Sequence, residues 1–157
     1  MTFDETIPTG RLPEGGFAQL VPELDVGDLD ASLDFWCDLL GFSVAYARPE
    51  SGFAFLEREC AQIMLNVVNG NWITGPLDRP FGRGINIQFT VGAVAPILSR
   101  LQARPWPLFR PPHEAWYRVG LTETGLLQFL VQDPDGYLLR FAETLGTRPL
   151  SPAARAS

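Results

Sequence analysis

One order of elements can be read twice along this chain, and that repeat limits the possible folds more than any other feature. Two strand-to-helix junctions, Val26-Gly27 and Val91-Gly92, stand 65 positions apart. Before the first, residues 17–26 read as a strand in which Pro22 weakens the hydrogen-bond ladder and marks an edge or bulge. A helix is then predicted from Asp28, whose side chain can cap unpaired amides, to Gly41, a glycine stop. Leu29, Leu33, Trp36 and Leu40 make its apolar stripe, while Asp30, Asp34 and Asp38 line a solvated face. Strands follow at 43–47, 53–57 and 62–68, and a Gly- and Pro-rich linker spans 69–84. The second half repeats the order, with a strand at 85–91, a helix at 93–103, and strands at 117–120, 126–132 and 137–143. Identity between the halves is slight, so the repeat is one of architecture. The expected fold is α+β: two βαβββ modules, about 17–69 and 84–145, whose curved mixed sheets enclose a groove. Residues 1–16 and 146–157 lack periodicity and are expected to be flexible tails flanking a single domain over 17–145.

Composition narrows the function. A length of 157 residues suits one domain, and 46% hydrophobic with 19% charged residues suits a folded one. No apolar run approaches the roughly 20 residues that a bilayer requires. The N-terminus carries Asp4, Glu5 and Glu14 where a signal peptide would be basic, so a soluble, cytoplasmic protein with no membrane partner is expected. Net charge is −6 and all 12 basic residues are arginines, which argues against a nucleic-acid partner. The absence of lysine removes Schiff-base chemistry and a phosphate-binding P-loop. Cys37 and Cys60 are far apart and read as reduced thiols, Cys37 as an inert one within the helix. The single histidine, His113, follows Arg110-Pro111-Pro112 in what reads as a loop, and no second histidine accompanies it as a metal ligand.

Asp133-Pro134-Asp135-Gly136 between two apolar strands is a tight hairpin turn. Its context is Phe129-Leu130-Val131-Gln132 before it and Tyr137-Leu138-Leu139-Arg140-Phe141 after it. Together with Val26-Gly27-Asp28 and Phe35-Trp36-Cys37-Asp38-Leu39-Leu40-Gly41-Phe42, this string resembles the glyoxalase/bleomycin-resistance/dioxygenase group, the vicinal-oxygen-chelate superfamily. The resemblance covers about residues 17–143. In the group's enzymes, four groove positions supply His or Glu to a divalent metal. The matching positions here are Val21, Asn66, Asn86 and Arg140, with the register of Asn66 open to a one-residue slip. This is not a ligand set for a divalent cation. The resemblance therefore implies the bleomycin-resistance branch, a homodimer that exchanges its N-terminal strand, with Pro22 carrying that inference, and that holds an intact antibiotic with no metal and no cofactor.

Asn66, Asn86 and Arg140 would then offer amide groups and one fixed cation to a polar ligand. Phe55, Trp72, Trp106, Phe109 and Trp116 are the aromatic residues expected to stack on a flat ligand such as bleomycin's bithiazole or another planar natural product. Bleomycin binders place a tryptophan before the glycine where this chain has Thr124-Gly125, and Trp116 is the nearest replacement. No residue is assigned a catalytic role in this reading. One rival is a metal-free lyase- or isomerase-type enzyme acting on a small carbonyl compound through Glu57, Glu143 or His113. The other is a small-molecule sensor.

Overall fold

The computed structural model describes residues 10–150, which form two compact units: residues 10–83 with 133–137, and residues 84–132 with 138–150. Each unit is a four-stranded mixed sheet with its own helix, the α+β arrangement expected from the repeat. No helix among the described residues is long and apolar enough to cross a membrane.

The first unit contains β1 (Glu23–Val26), α1 (Leu29–Leu33), β2 (Ser43–Arg48), β3 (Phe53–Arg58) and β4 (Ala61–Val67). The strands lie in the order β1-β4-β3-β2, with β1 parallel to β4. Asp28 starts the helix as expected, its Oδ1 accepting from the Ala31 amide at 2.9 Å. After Leu33 the helix widens into π-type turns over Asp34–Leu39, with the Leu40 amide donating to the Phe35 carbonyl. The wider turns rotate the stripe, so Phe35 and Leu39 join Leu33, Trp36 and Leu40 in the core. Gly41, at φ 80°, ends the helix in the left-handed region.

The predicted strand over 17–26 shortens to Glu23–Val26. Pro22 has no amide to pair, although its carbonyl still accepts from the Met64 amide at 2.8 Å. The preceding residues lie along the sheet face formed by Phe53 and Phe55. Arg11 donates its amide to the Ala45 carbonyl and its guanidinium to Glu57, whose other oxygen accepts from the Glu14 amide at 2.8 Å. Gln62 brackets Phe17, accepting from the Ala18 amide and donating to the Gly16 carbonyl. Residues 10–16, expected as part of a tail, are thus fastened to the sheet, whereas residues 1–9 and 151–157 lie outside the described residues.

The Asp133-Pro134-Asp135-Gly136 turn, read in sequence as part of the second module, belongs to the first unit. Asp133 Oδ1 accepts from the amides of Asp135, Gly136 and Tyr137 at 2.9–3.0 Å. Asp135, only 2% exposed, accepts from the Gly27 amide at 2.9 Å and from Arg79 Nε at 3.1 Å. The Tyr137 hydroxyl donates to the Asp25 carbonyl at 3.0 Å, and burial pushes the phenol up to about 12. Gly136, at φ 100°, passes so close to Pro80 that a Cβ would sit 2.4 Å from that ring.

The second unit contains β5 (Asn86–Val91), α2 (Ala95–Ala103), β6 (Leu108–Val119), β7 (Thr122–Gln132) and β8 (Leu138–Pro149), in the order β5-β8-β7-β6 with β5 parallel to β8. Phe89, Phe141 and Phe129 occupy facing positions on three adjacent strands and stack at 5.3 and 5.4 Å. On the same face, Glu143 holds the Val94 amide at the start of α2, whose Ile97 and Leu101 are buried. β6 is far longer than the predicted 117–120 and includes Pro111, Pro112 and His113. As an edge strand it tolerates the missing amides of proline, and its register shifts twice between Leu108 and His113. β7 and β8 also extend beyond their predicted ends, so residues 146–149, expected in the C-terminal tail, pair with β7.

Two predictions follow from the turn. Asp135→Ala removes the buried acceptor shared by Gly27 and Arg79, and should lower stability by about 3 kcal/mol or more in urea unfolding; a loss below about 1 kcal/mol would show that this clamp is redundant. Burial pushes the Asp133 carboxyl up to about 6, against the downward pull of the Tyr137 and Asp135 amides and the Trp36 indole. The folded protein therefore keeps a proton that the unfolded chain releases near 3.8. This contribution is complete below that value and is lost as pH rises through 6, a change on the order of 3 kcal/mol. Asp133→Asn should flatten that slope, as measured by unfolding between pH 4 and 7, and an unchanged slope would assign it to other groups.

Candidate functional site

Side chains alternate between the faces of a strand, so the pairing register of the second sheet decides which of them share a face. Phe89, Phe141 and Phe129 define the face toward α2. The opposite face takes Asn86, Gln88 and Thr90 from β5, Arg140 and Ala142 from β8, and Gln128 from β7, with His113 facing Gln128 across β6. The β5 contribution follows directly from the alternation Ile-Asn-Ile-Gln-Phe-Thr-Val, and its three polar residues are exposed.

Two hydrogen-bonded groups organise this polar face. Arg140 donates through Nη2 to Asn86 Oδ1 at 2.9 Å, so β5 and β8 bring together two of the residues named from sequence. Gln128, 3% exposed, gives its amide nitrogen to the Tyr117 hydroxyl at 2.7 Å and to His113 Nε2 at 3.1 Å. His113 Nδ1 lies 3.0 Å from the Pro111 carbonyl, an acceptor, so the proton sits on Nδ1 and Nε2 accepts. Two buried atoms of this face have no partner among the described residues: Gln128 Oε1 and Arg140 Nε. Gln128 was not singled out in the sequence, although a lone amide within Leu-Leu-Gln-Phe-Leu-Val is a signal, since a buried polar group needs partners.

The remaining residues named from sequence are not gathered here. Trp116 faces Gly125, one residue out of phase with the Arg140 face, and lies between that glycine and the Arg148 guanidinium, 3.9 Å from its ring centre. A Cβ at position 125 would meet the Trp116 ring at 2.6 Å, so glycine here makes room for the indole. Trp106 donates its indole N–H to the Gln132 carbonyl at 2.9 Å. Phe109 lies in the irregular part of β6, 60% exposed. In the first unit, Trp72 is 85% exposed, while Phe55 is buried, stacked on Tyr46 at 5.0 Å with the edge of Phe17 against it. Asn66 is buried, and its amide nitrogen is committed to Asp25 Oδ1 and the Val67 carbonyl. Met64, two residues earlier on the same strand face, pairs with Glu23 and packs, like Val21, against Ala45, Phe53 and Phe55.

The donor chemistry does not fit a divalent cation. In the first unit Val21 offers no donor atom and the Asn66 amide is bonded to Asp25 and Val67, and in the second Asn86 with the Arg140 guanidinium sets a positive charge. Among the described residues, no three His, Cys, Asp or Glu side chains could hold a metal ion. Two of the groups considered for acid–base work have structural duties. Glu57 binds Arg11 and the Glu14 amide, and Glu143 caps α2 on the face opposite Arg140. Burial, with Asp38 and Asp34 adding to it, pushes the Cys37 thiol up to about 11, so it is not a thiolate at neutral pH.

Comparison with known proteins bears on the family and the fold. Residues 17–141 match the family described as the Glyoxalase/Bleomycin resistance protein/Dioxygenase superfamily. A probable lactoylglutathione lyase of Synechocystis sp. is 32% identical over 127 residues, covering 76% of this chain and 89% of that protein. Among solved structures, TioX from Micromonospora sp. ML1 is similar with a TM-score of 0.64 at 21% identity, over 82% of this chain and all of that one. Lactoylglutathione lyase from Agrobacterium tumefaciens is similar with a TM-score of 0.53 at 18% identity, over 80% of this chain and 92% of that one. These two structures share the fold. From the donor set we expect zinc or nickel, titrated calorimetrically into chelator-treated protein, to show no stoichiometric site, and chelation to leave the melting temperature unchanged. Saturation at one ion per chain would overturn this.

Proposed function

The chain belongs to the Glyoxalase/Bleomycin resistance protein/Dioxygenase superfamily, and on that footing we propose that it binds a small molecule without a divalent metal, through the polar face of its second sheet. The observation carrying this reading is the Arg140–Asn86 pair, a fixed cation and an amide at two positions that the sequence resemblance aligns with metal ligands of the family's enzymes. A guanidinium offers a planar array of donors to a carboxylate, carbonyl or other acceptor of the ligand. The mechanism is binding itself: a stoichiometric complex lowers the free concentration of the compound, as expected of a protein that sequesters a bleomycin-type or other flat antibiotic. A homodimer is part of this reading.

A metal-free lyase or isomerase is the second reading, favoured by the 32% identity to a probable lactoylglutathione lyase. The engagement of Glu57 and Glu143 in structural hydrogen bonds weighs against it and leaves His113 as its base.

The test is titration of chelator-treated full-length protein with metal-free and copper-loaded bleomycin, followed by tryptophan fluorescence and calorimetry. Saturable binding near one drug per chain, unaffected by chelator, is expected. Arg140→Ala should weaken it by about tenfold or more, the loss of a charged hydrogen bond. Trp116→Ala, on the opposite sheet face, should change it by less than about threefold. No heat and no quenching would remove bleomycin as the ligand. Metal-free turnover of a small carbonyl compound that is lost in His113→Gln would replace sequestration with catalysis.

A further inference from the structure

The two buried atoms on the polar face that lack protein partners are of opposite kind. Gln128 Oε1 is an acceptor and Arg140 Nε–H is a donor. Leu130 pairs with Arg140 and Gln128 pairs with Ala142, so Gln128 and Arg140 are diagonal neighbours on adjacent strands, on the order of 7–8 Å apart at the backbone. The other two corners of this diagonal are Leu130 and Ala142, and Ala142 is fully buried.

The orientation of Gln128 is determined by its neighbours. Because the Pro111 carbonyl keeps the His113 proton on Nδ1, Nε2 must accept, and only the amide nitrogen of Gln128 can donate to it. Turning the amide over would set Oε1 against the Nε2 lone pair and give up the donation to Tyr117. The planar amide therefore directs Oε1 away from His113 and Tyr117, which both belong to β6. A buried acceptor held this way costs free energy until a donor reaches it, and the same holds for a buried guanidinium N–H.

We propose that Gln128 and Arg140 form an amide-recognising pair: the ligand donates an N–H to Gln128 Oε1 and accepts from Arg140 through the carbonyl of the same carboxamide group. This deepens the proposed function and rests on it, since it requires a ligand that meets Arg140 on this face. The ligand class is then a compound bearing a primary or secondary carboxamide. A simple carboxylate answers Arg140 alone, and a tertiary amide lacks the N–H.

The experiment is fragment titration of the full chain near pH 8, followed by the side-chain ¹⁵N–¹H signals of Gln128 and Arg140, with benzamide, N,N-dimethylbenzamide and benzoate as probes. Benzamide is expected to shift both signals saturably and to bind about fivefold more tightly than its dimethyl analogue, the value of one hydrogen bond. In Gln128→Leu the two amides should bind equally. If benzamide and dimethylbenzamide bind wild-type protein equally, or benzoate alone binds, the amide pair is overturned while an Arg140 contact stands. If no fragment moves either signal, the amide pair is likewise overturned; the broader reading is judged separately by the bleomycin titration and its Arg140→Ala variant. The fragment series on wild-type protein is decisive even if Gln128→Leu fails to fold.

Discussion

The register of β7 against β8 is the constraint on which the second unit depends, and a five-residue turn sets it. Asp133 gathers three amides on one oxygen, Gly136 accepts a backbone angle that a side chain would resist, and the Asp133 amide closes the loop on the Tyr137 carbonyl. Once the turn is closed, Gln132 faces Leu138 and every later pair follows. A slip of one residue would send Arg140 to the α2 face and a phenylalanine to the polar one. The turn is also built into the first unit, where Asp135 holds the Gly27 amide and Arg79, so the residues that set the pairing have little freedom to shift.

The polar faces of the two sheets are used in opposite ways. In the first, the face bearing Phe53 and Phe55 is lined by the chain's own residues 10–18, and its polar side chains are spent on backbone: Gln62 on Gly16 and Ala18, Glu57 on Glu14, Asn66 on Val67. In the second, the polar face retains buried hydrogen-bonding capacity at Gln128 and Arg140. Satisfied groups rigidify a structure, whereas a buried donor and acceptor held open are the arrangement a ligand relieves. The functional reading rests on the second unit for that reason.

The family resemblance and the chemistry of this chain point in different directions, and the residues explain why. The fold is maintained by the turn, the glycine junctions and the helix stripe, which lie apart in sequence from the positions that the resemblance aligns with metal ligands. Those aligned positions are free to change while the architecture persists, and here they are Val21, Asn66, Asn86 and Arg140.

The sequence by itself determined the repeated order of elements, the Asp28 cap, the Gly41 stop, the closed turn and the polar edge of β5, because each follows from periodicity or from the conformational needs of one or two residues. Through the family resemblance it also named Asn86 and Arg140, five residues before Val91 and four after Gly136. Tertiary structure alone decided what depends on pairing between distant strands. It put His113 in an edge strand, where missing proline amides do no harm, and set it against Gln128. It turned Trp116 to the other side of the sheet and joined Gln128 to Tyr117. Local sequence tells which side chains alternate along a strand, but only the register between strands tells which of them meet.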